Sequence, residues 1–150
     1  MLELRRLFGI LRDGEEPAEL EPQPRLAQLG LLLERVRAAG LDIELHVEGD
    51  PDALPAGVEL SAYRIVQEAL TNVLKHAEAT RVDVLLRYGD RSLDLEVNDD
   101  GIGDKANGAG HGLIGMRERA ALYGGTLTAG RRPNGGFLVA AQLPRDGAAS

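Results

Sequence analysis

The amino-acid sequence predicts an α+β fold, a two-layer α/β sandwich in which a mixed, mostly antiparallel sheet is covered on one face by helices. Short segments with the alternating apolar pattern of half-buried strands occur along the chain, and two pairs of them are joined by turn sequences typical of hairpins. Longer segments with helical periodicity lie between the strand-like segments that are not joined as hairpins. Strict alternation of helices with long apolar strands does not occur, which argues against a doubly wound parallel sheet.

The N-terminal part of the chain is predicted to precede the folded domain. Residues 1–12 have apolar side chains at helical spacing, which predicts the end of a helix. Residues 15–24 contain three prolines and four glutamates, the composition of an extended, solvated linker. We therefore expect a helix remnant at 1–12, a linker at 13–23, one domain at 24–145 and a loose tail at 146–150.

Within the domain, the periodicity of the apolar residues predicts three helices and five strands. The first helix begins near Pro24 and ends at Gly40. The strongest helical pattern is at 59–77, with apolar residues on one side and polar residues on the other. A loop of small residues through Gly110 precedes the third helix at 113–123. The strands are predicted at 41–49, 81–88, 92–98, 126–129 and 136–143.

Composition excludes several classes of function. The formal net charge of −7 argues against broad binding to nucleic acid, so any phosphate site must be local. The chain has no cysteine, which removes disulfides, thiol nucleophiles and cysteine-based zinc sites. The apolar runs are far shorter than the roughly 20 residues that span a bilayer, so we expect no membrane contact in this chain and a cytoplasmic location.

Four polar residues, Glu68, Asn72, Lys75 and His76, are predicted to lie along or beside one stripe of the helix at 59–77. Such a face can serve a magnesium-triphosphate group, because Mg²⁺ prefers oxygen ligands and shares its shell with phosphates. Asn72 would bind the metal, and Lys75 and His76 would contact the phosphates. Glu68 could orient or deprotonate a nucleophile as a catalytic residue. The alternative is an ordinary solvated helix face.

The sequence VNDDGIG at 97–103 places a predicted strand directly before a D-x-G-x-G motif. Asp99, at the end of the strand, is an acceptor suited to the exocyclic amine of adenine. Gly101 and Gly103 have no side chains, so a purine can lie close to the backbone. The alternative is a tight acidic turn, since short glycine motifs often occur without a ligand.

The sequence GAGHGLIGMRER at 108–119 leads from a glycine-rich stretch into a predicted helix. Backbone N–H groups at a helix start attract phosphate oxygens, and the glycines allow the segment to fold over them. The segment is not a P-loop, because no G-K-[ST] follows, and it is not a Rossmann fingerprint, because it follows a loop. The alternative is a flexible linker.

Taken in order, these motifs resemble the ATP-binding domain shared by histidine kinases, gyrase, the Hsp90 chaperones and MutL-type repair proteins. EALTNVLKHA resembles the N box of that family, VNDDGIG the G1 box and GHGLIGMRER the G2 box. The combination is most similar to sensor histidine kinases paired with nitrate-type (NarL-like) response regulators. The resemblance implies the Bergerat-type ATP-binding fold, ATP and Mg²⁺ as cofactors, and a mobile lid at roughly 104–111.

The same resemblance implies the role of each site residue, while Glu68 is assigned as a candidate base from the helix pattern. The residues placed around the nucleotide are Asn72 for magnesium, Lys75 and His76 near the phosphates, Asp99 for adenine, and Gly101, Gly103, Gly110, His111 and Gly112 in the pocket motifs.

The phosphoacceptor motif of this family is a histidine followed by an acidic residue on a dimerising helix. Here Val47, Ala77 and Gly112 follow the three histidines, so the acceptor is missing from the sequence. Residues 1–12 resemble the tail of the dimerisation domain's second helix. The resemblance therefore implies the catalytic end of a sensor kinase, or a separated fragment of one. It would transfer the γ-phosphoryl group of ATP to a histidine on a separate dimerisation domain, upstream of a response regulator.

Two alternatives stay open at this point. One is a stand-alone serine kinase of the anti-sigma-factor type, which has the same fold, although NVLKHA and GMRER favour the sensor kinase. The other is a nucleotide-dependent interaction module that has no transfer activity.

Overall fold

The computed structural model describes residues 24–51, 54–77, 79–101, 106–133 and 135–146. The predicted helix remnant, the linker and most of the predicted tail lie outside these residues. For His76, Ala77 and residues 106–112 only the backbone is described.

In the described residues, five strands form one mixed sheet in the order β1-β2-β3-β5-β4. The strands are β1 Asp42–Gly49, β2 Arg81–Tyr88, β3 Ser92–Asp99, β4 Thr126–Arg131 and β5 Phe137–Pro144. β1 and β2 are parallel, and the other neighbours are antiparallel. β2 pairs with β3 and β4 pairs with β5, as expected for the two predicted hairpins. The prediction of a mixed, mostly antiparallel sheet is confirmed.

Among the described residues, one helix precedes the strands and two others connect them. They are a 3-10 turn Leu26–Gln28 leading into α1 Leu29–Ala38, then α2 Ala56–Asn72 with a π-helical turn Val73–Ala77, and α3 Ala106–Ala121. Gly40 follows the C-cap of α1, and its positive φ of 104° is a conformation that glycine adopts without steric cost. Within the described part of the chain, no helix has both the length and the apolar character needed to cross a membrane.

The helices cover one face of the sheet and form the core with it. Along β3 every second side chain is buried, and those between are partly accessible, because successive side chains of a strand point to opposite faces. The fully buried large side chains come from all three helices and from the inward positions of the sheet: Leu29, Leu32, Leu33, Val36, Ile43, Ile65, Leu70, Leu93, Leu95, Met116 and Leu143. The predicted single layer of helices is therefore present.

α2 and α3 pack antiparallel to each other. Gly57, in the first turn of α2, lies against the ring of Tyr123, and a Cβ atom at this glycine would collide with the tyrosine hydroxyl. One turn later, Ser61 Oγ donates a 3.2 Å hydrogen bond to the carbonyl of Arg119. The start of α2 therefore meets the end of α3. It follows that the end of α2 lies alongside the start of α3.

The start of α3 differs from the prediction. A loop of small residues through Gly110 was expected, with the helix beginning at residue 113, but α3 begins at Ala106. Glycine lowers helix propensity by about 1 kcal/mol relative to alanine, yet it does not block helical hydrogen bonds as proline does. Once a helix has formed, each further residue adds a bond at little cost. The helix at 113–121 can therefore extend backwards through the glycines.

Glu59, in the first turn of α2, connects this helix to the turn at the start of the domain. Its Oε1 accepts a 3.1 Å hydrogen bond from the backbone N–H of Leu26, and its Oε2 lies 3.5 Å from Arg25 Nη1. The Glu59 side chain is only 15% exposed, and a carboxylate in the first turn of a helix interacts favourably with the helix dipole. Glu59 therefore ties the segment that enters the domain to α2.

Glu59→Ala is expected to lower the free energy of unfolding by about 1–2 kcal/mol, because the Leu26 N–H loses its charged acceptor. Glu59→Gln keeps an oxygen acceptor for this N–H, so its free energy of unfolding should fall clearly less than that of Glu59→Ala. Urea denaturation followed by circular dichroism measures both values. Equal losses for the two variants would show that the hydrogen bond to Leu26 does not matter.

Candidate functional site

One end of the sheet brings together the elements that carry the predicted motifs. Asp99, the last residue of β3, pairs with Val82 near the start of β2 and with Phe137 at the start of β5. The chain enters β2 shortly after the π-helical turn that follows α2. α3 begins shortly after β3 and runs antiparallel to α2. The end of α2, the start of α3 and the end of β3 thus converge on one region.

Asp99 is an acidic side chain at an inward-facing position of the sheet. It is only 4% exposed, and its Oδ1 accepts a 2.8 Å hydrogen bond from the backbone N–H of Gly101. Burial raises the pKa of the Asp99 carboxyl above its ordinary value, and the bond from Gly101 offsets only part of this effect. Asp99 is thus a fixed hydrogen-bond acceptor held beside the apolar core. It is the buried carboxylate that the predicted adenine contact requires.

Gly136 holds the backbone of Asp99 from the neighbouring strand, a contact that the sequence analysis missed. Gly136 has a positive φ of 93°, and a Cβ atom there would collide with the carbonyl oxygen of Asp99. The sequence signal was the Pro-Asn-Gly turn before β5, but the partner of this glycine lies 37 positions earlier in the chain. Only the pairing of β3 with β5 brings the two residues together.

Glu68 and Asn72 lie one turn apart on α2, as predicted, and both are partly buried. Asn72 is the last residue of the α-helical part, and Lys75 and His76 follow in the π-helical turn. A π-helical turn holds more residues than an α-helical turn and is frequent at functional sites. The spacing of 3.6 residues per turn on which the predicted stripe rests therefore ends at Asn72, before Lys75 and His76. Lys75 is exposed.

The polar side of α2 is much less solvated than its sequence indicated. Four polar side chains are buried between the helices and the sheet: Ser61, Arg64, Gln67 and Thr71. Arg64 Nη1 donates a 3.0 Å hydrogen bond to Gln67 Oε1, and Thr71 Oγ1 donates one of 2.9 Å to the carbonyl of Gln67. Much of the polar side of α2 is therefore not solvated, and Glu68 and Asn72, for which a solvated face was the alternative, are themselves partly buried. Bonds within the helix satisfy polar groups that burial would otherwise leave unpaired.

Of the remaining predicted site residues, the structure describes some completely, some only in their backbone and one not at all. Gly101 is buried beside Asp99, whereas Gly103 lies outside the described residues. Gly110, His111 and Gly112 belong to the first turns of α3, where the backbone is described. The structure therefore brings Glu68, Asn72, Asp99 and Gly101 to the same end of the sheet. The side chains of His76 and His111 lie outside the described part of the structure.

Among the described residues, three metal-binding side chains approach one another away from this region, on the open face of β1 and β2. His46 Nε2 lies 3.5 Å from Glu44 Oε1 and 3.6 Å from Asp83 Oδ1. However, Arg81 Nη2 already contacts the same two oxygens, at 2.7 and 3.2 Å. The guanidinium supplies the positive charge that this cluster needs.

The family described as histidine kinase-, DNA gyrase B-, and HSP90-like ATPase matches residues 57–147. This range includes α2, the π-helical turn, β2 to β5 and α3, and so every element that forms the candidate site.

Curated relatives match most of this chain. It is 36% identical over 109 residues to the oxygen sensor histidine kinase NreB of Staphylococcus carnosus, covering 70% of this chain and 31% of the relative. It is 32% identical over 141 residues to the sensor histidine kinase LnrJ of Bacillus subtilis, a match that covers 94% of this chain and 34% of the relative. The sensor histidine kinase LiaS of the same organism is 38% identical over 127 residues, covering 82% and 34%. The chain spans about a third of the length of these relatives.

Solved structures share the fold. The ATP binding domain of PrrB from Mycobacterium tuberculosis superposes with a TM-score of 0.63 at 23% identity, over 81% of this chain and 95% of the other. The histidine kinase domain of the blue-light activated kinase EL346 from Erythrobacter litoralis gives a TM-score of 0.62 at 24% identity, over 95% and 73%. The two-layer arrangement predicted from the sequence is therefore that of known histidine kinase domains.

Asp99→Asn is expected to raise the free energy of unfolding at pH 7 by about 1 kcal/mol, the usual scale for one buried polar group. The raised pKa means that ionisation of Asp99 costs the folded state stability as the pH rises above the ordinary range for aspartate, about 4. The amide oxygen of asparagine can still accept the Gly101 N–H. Urea denaturation at pH 7 and at pH 3 measures the effect.

The gain from Asp99→Asn should shrink toward zero at pH 3, where the carboxyl is protonated in both states. Asp94→Asn, on the open face of the same strand, is the matched control and should show no comparable gain. A loss of stability for Asp99→Asn at pH 7 would show that the ionised carboxylate stabilises the fold.

Proposed function

The chain belongs to the family of histidine kinase-, DNA gyrase B- and HSP90-like ATPases, and we propose that it transfers the γ-phosphoryl group of ATP to a histidine on a separate dimerisation domain. It is a histidine kinase ATPase domain, and its curated relatives are named sensor histidine kinases. The observation that carries the proposal is Asp99, a carboxylate buried at the sheet end where α2 and α3 converge. This position supports the predicted contact to adenine.

Adenine would be selected by Asp99. Its carboxylate accepts the exocyclic amine of adenine, whereas guanine presents a carbonyl oxygen at the corresponding position and is repelled. Since the carboxylate is buried and already fixed by Gly101, it need not lose side-chain freedom when the nucleotide binds. Gly101 leaves room for the purine against the backbone.

Mg²⁺ and the phosphates would be bound at the end of α2. The amide oxygen of Asn72 and the carboxylate of Glu68 are the oxygen donors that Mg²⁺ prefers, and phosphates and water would complete the shell. The bound ion would neutralise charge on the β- and γ-phosphates. Lys75 and His76, in the π-helical turn, would contribute positive or donor groups near the phosphates.

The first turns of α3 would supply backbone donors. In α3 the glycines at 110 and 112 lie far enough from the helix start for their N–H groups to be directed into helical bonds, whereas the N–H of Gly108 is in the first turn and has no acceptor within the helix. Each glycine weakens the helix by about 1 kcal/mol relative to alanine. We expect nucleotide binding to rearrange these turns at modest cost, so that the N–H groups at Gly110 and Gly112 face phosphate oxygens.

The transfer itself needs a nucleophile from outside this chain. A neutral imidazole nitrogen of the acceptor histidine attacks the γ-phosphorus, the bond to the β–γ bridging oxygen breaks, and ADP leaves with the electron pair. Most of the rate enhancement comes from positioning and charge stabilisation. Glu68 could accept a proton from the acceptor imidazole or orient it. The dimerisation domain and a response regulator, of the NarL-like type, are the partners, and the cytoplasm is the expected location.

The two alternatives from the sequence are not favoured. The named relatives are sensor histidine kinases rather than anti-sigma-type serine kinases. No feature of the described residues favours an interaction module without transfer activity.

Asn72→Ala is expected to weaken Mg-ATP binding about tenfold or more and to leave ATP binding in EDTA nearly unchanged, because the variant loses only the oxygen offered to the metal. Calorimetric titrations with and without Mg²⁺ measure both affinities. Gln28→Ala, at a polar site remote from the sheet end, is the control. Equal ATP affinity of the unmodified chain with and without Mg²⁺ would contradict the metal assignment.

The chain alone, incubated with labelled ATP and Mg²⁺, is expected to bind nucleotide without forming stable phosphohistidine, because no histidine in it has the acidic neighbour of the acceptor motif. Adding a dimerisation domain with its own acceptor histidine should start transfer. The rate should be low because the covalent linkage that raises effective concentration is missing. Acid-labile label on His46, His76 or His111 would contradict the proposal, and so would label on a serine of an added anti-anti-sigma protein.

A further inference from the structure

We propose that Asp100 is a positioning residue that holds the adenine-binding and phosphate-binding parts of the site in register. The inference rests on the proposed ATP site and concerns a residue that contacts no nucleotide itself. Asp100 directly follows Asp99 in the chain, and the sequence analysis gave it no role in binding.

The Asp100 carboxylate is fully engaged with the backbone before β2. Its Oδ1 accepts hydrogen bonds from the N–H groups of Thr80 and Arg81, at 2.9 and 3.0 Å. Its Oδ2 accepts a 2.8 Å bond from Thr80 Oγ1. The Asp100 N–H in turn donates a 3.2 Å bond to the Arg81 carbonyl. Four hydrogen bonds therefore join Asp100 to two consecutive residues.

These contacts differ from those of an ordinary acidic turn. An aspartate that forms a turn bonds to the backbone about two residues away, as Asp99 does with Gly101. The partners of the Asp100 side chain lie 19 and 20 positions away in the sequence. Asp100 therefore connects two distant segments of chain rather than closing its own loop.

Thr80 is also held from the opposite side. Its carbonyl accepts a 3.1 Å hydrogen bond from the N–H of Asp42 at the start of β1. The segment entering β2 is thus fixed between the start of β1 and the end of β3. Movement of Asp100 would release one of these two attachments.

The two segments joined by Asp100 carry different parts of the proposed nucleotide site. Asp99, next to it, is the adenine acceptor, and Lys75 lies five positions before Thr80, in the turn that follows Asn72. A triphosphate nucleotide must contact both parts at once, whereas adenosine contacts only the adenine part. Displacements of about 1 Å in such an arrangement can cost as much as a hundredfold in rate or binding.

The ionisation state of the Asp100 carboxyl is consistent with this positioning role. Burial acts to raise the pKa of Asp100, but the hydrogen bonds from Arg81 and Thr80 outweigh it and the pKa is lowered. The carboxylate therefore stays ionised and keeps all its acceptor sites near neutral pH.

The experiment compares affinities for Mg-ATP and for adenosine in Asp100→Ala by calorimetry. We expect the affinity for Mg-ATP to fall about tenfold or more and that for adenosine to fall less than about threefold, so the ratio of the two affinities drops. Partial unfolding lowers both affinities by the same factor and leaves the ratio unchanged. The ratio therefore separates positioning from a general loss of structure.

Two further variants sharpen the test. Asp100→Asn keeps one oxygen acceptor and should recover part of the ratio, while Asp94→Ala, on the same strand but remote from this end, should leave it unchanged. If Asp100→Ala does not fold, Thr80→Val removes only the bond to Oδ2 and should lower the ratio by about threefold. An unchanged ratio in a folded Asp100→Ala or Thr80→Val overturns the inference. Failure of the unmodified chain to bind ATP overturns the proposed function instead.

Discussion

The register of the central strand β3 is the constraint on which the site depends. β3 pairs on both sides, and its inward positions are apolar until the last one, where Asp99 takes the place of a hydrocarbon side chain. A slip of one residue would turn Asp99 to the open face and expose the core residues before it. The burial of Leu93, Leu95 and Val97 therefore also fixes the carboxylate. The hydrophobic core thus positions the side chain that we propose as the adenine acceptor.

The strands and the central motif could be predicted from the sequence because the determining signals are local. Alternation of apolar residues gave β2 its bounds, and the D-x-G-x-G spacing identified Asp99 and Gly101 before their burial was known. The start of α3 could not be predicted, because glycine weakens a helix without excluding it. The buried Arg64 and the contact between Gly136 and Asp99 depend on how distant elements pack. A pattern along one helix or strand does not contain that information.

A chain of net charge −7 that binds a polyanion must concentrate its positive potential locally. Most charged side chains on the open face of β1 and β2 are paired, as Arg81 is with Glu44 and Arg87 with Glu48. These pairs use arginine and lie on the open face of the sheet, whereas the side chain of Asp99 faces the core. Lys75 lies three residues after Asn72, in the π-helical turn that follows the regular helix. With Mg²⁺ and the N–H groups of α3, it would offset the phosphate charge where the ligand binds.

In the proposed site, the burial of Asp99 would favour ligand binding while it lowers the folding stability of the empty protein. Burial beside the core raises the pKa of the Asp99 carboxyl, so its ionisation lowers the free energy of unfolding at neutral pH. An apolar residue at the end of β3 would avoid this loss of stability. The cost would be offset when a ligand donates a further hydrogen bond to the carboxylate, which already accepts the N–H of Gly101. Nucleotides that lack this donor would leave the carboxylate buried and facing another acceptor. In the proposed function, the burial that raises the pKa of Asp99 would therefore also favour a ligand that donates a hydrogen bond to it.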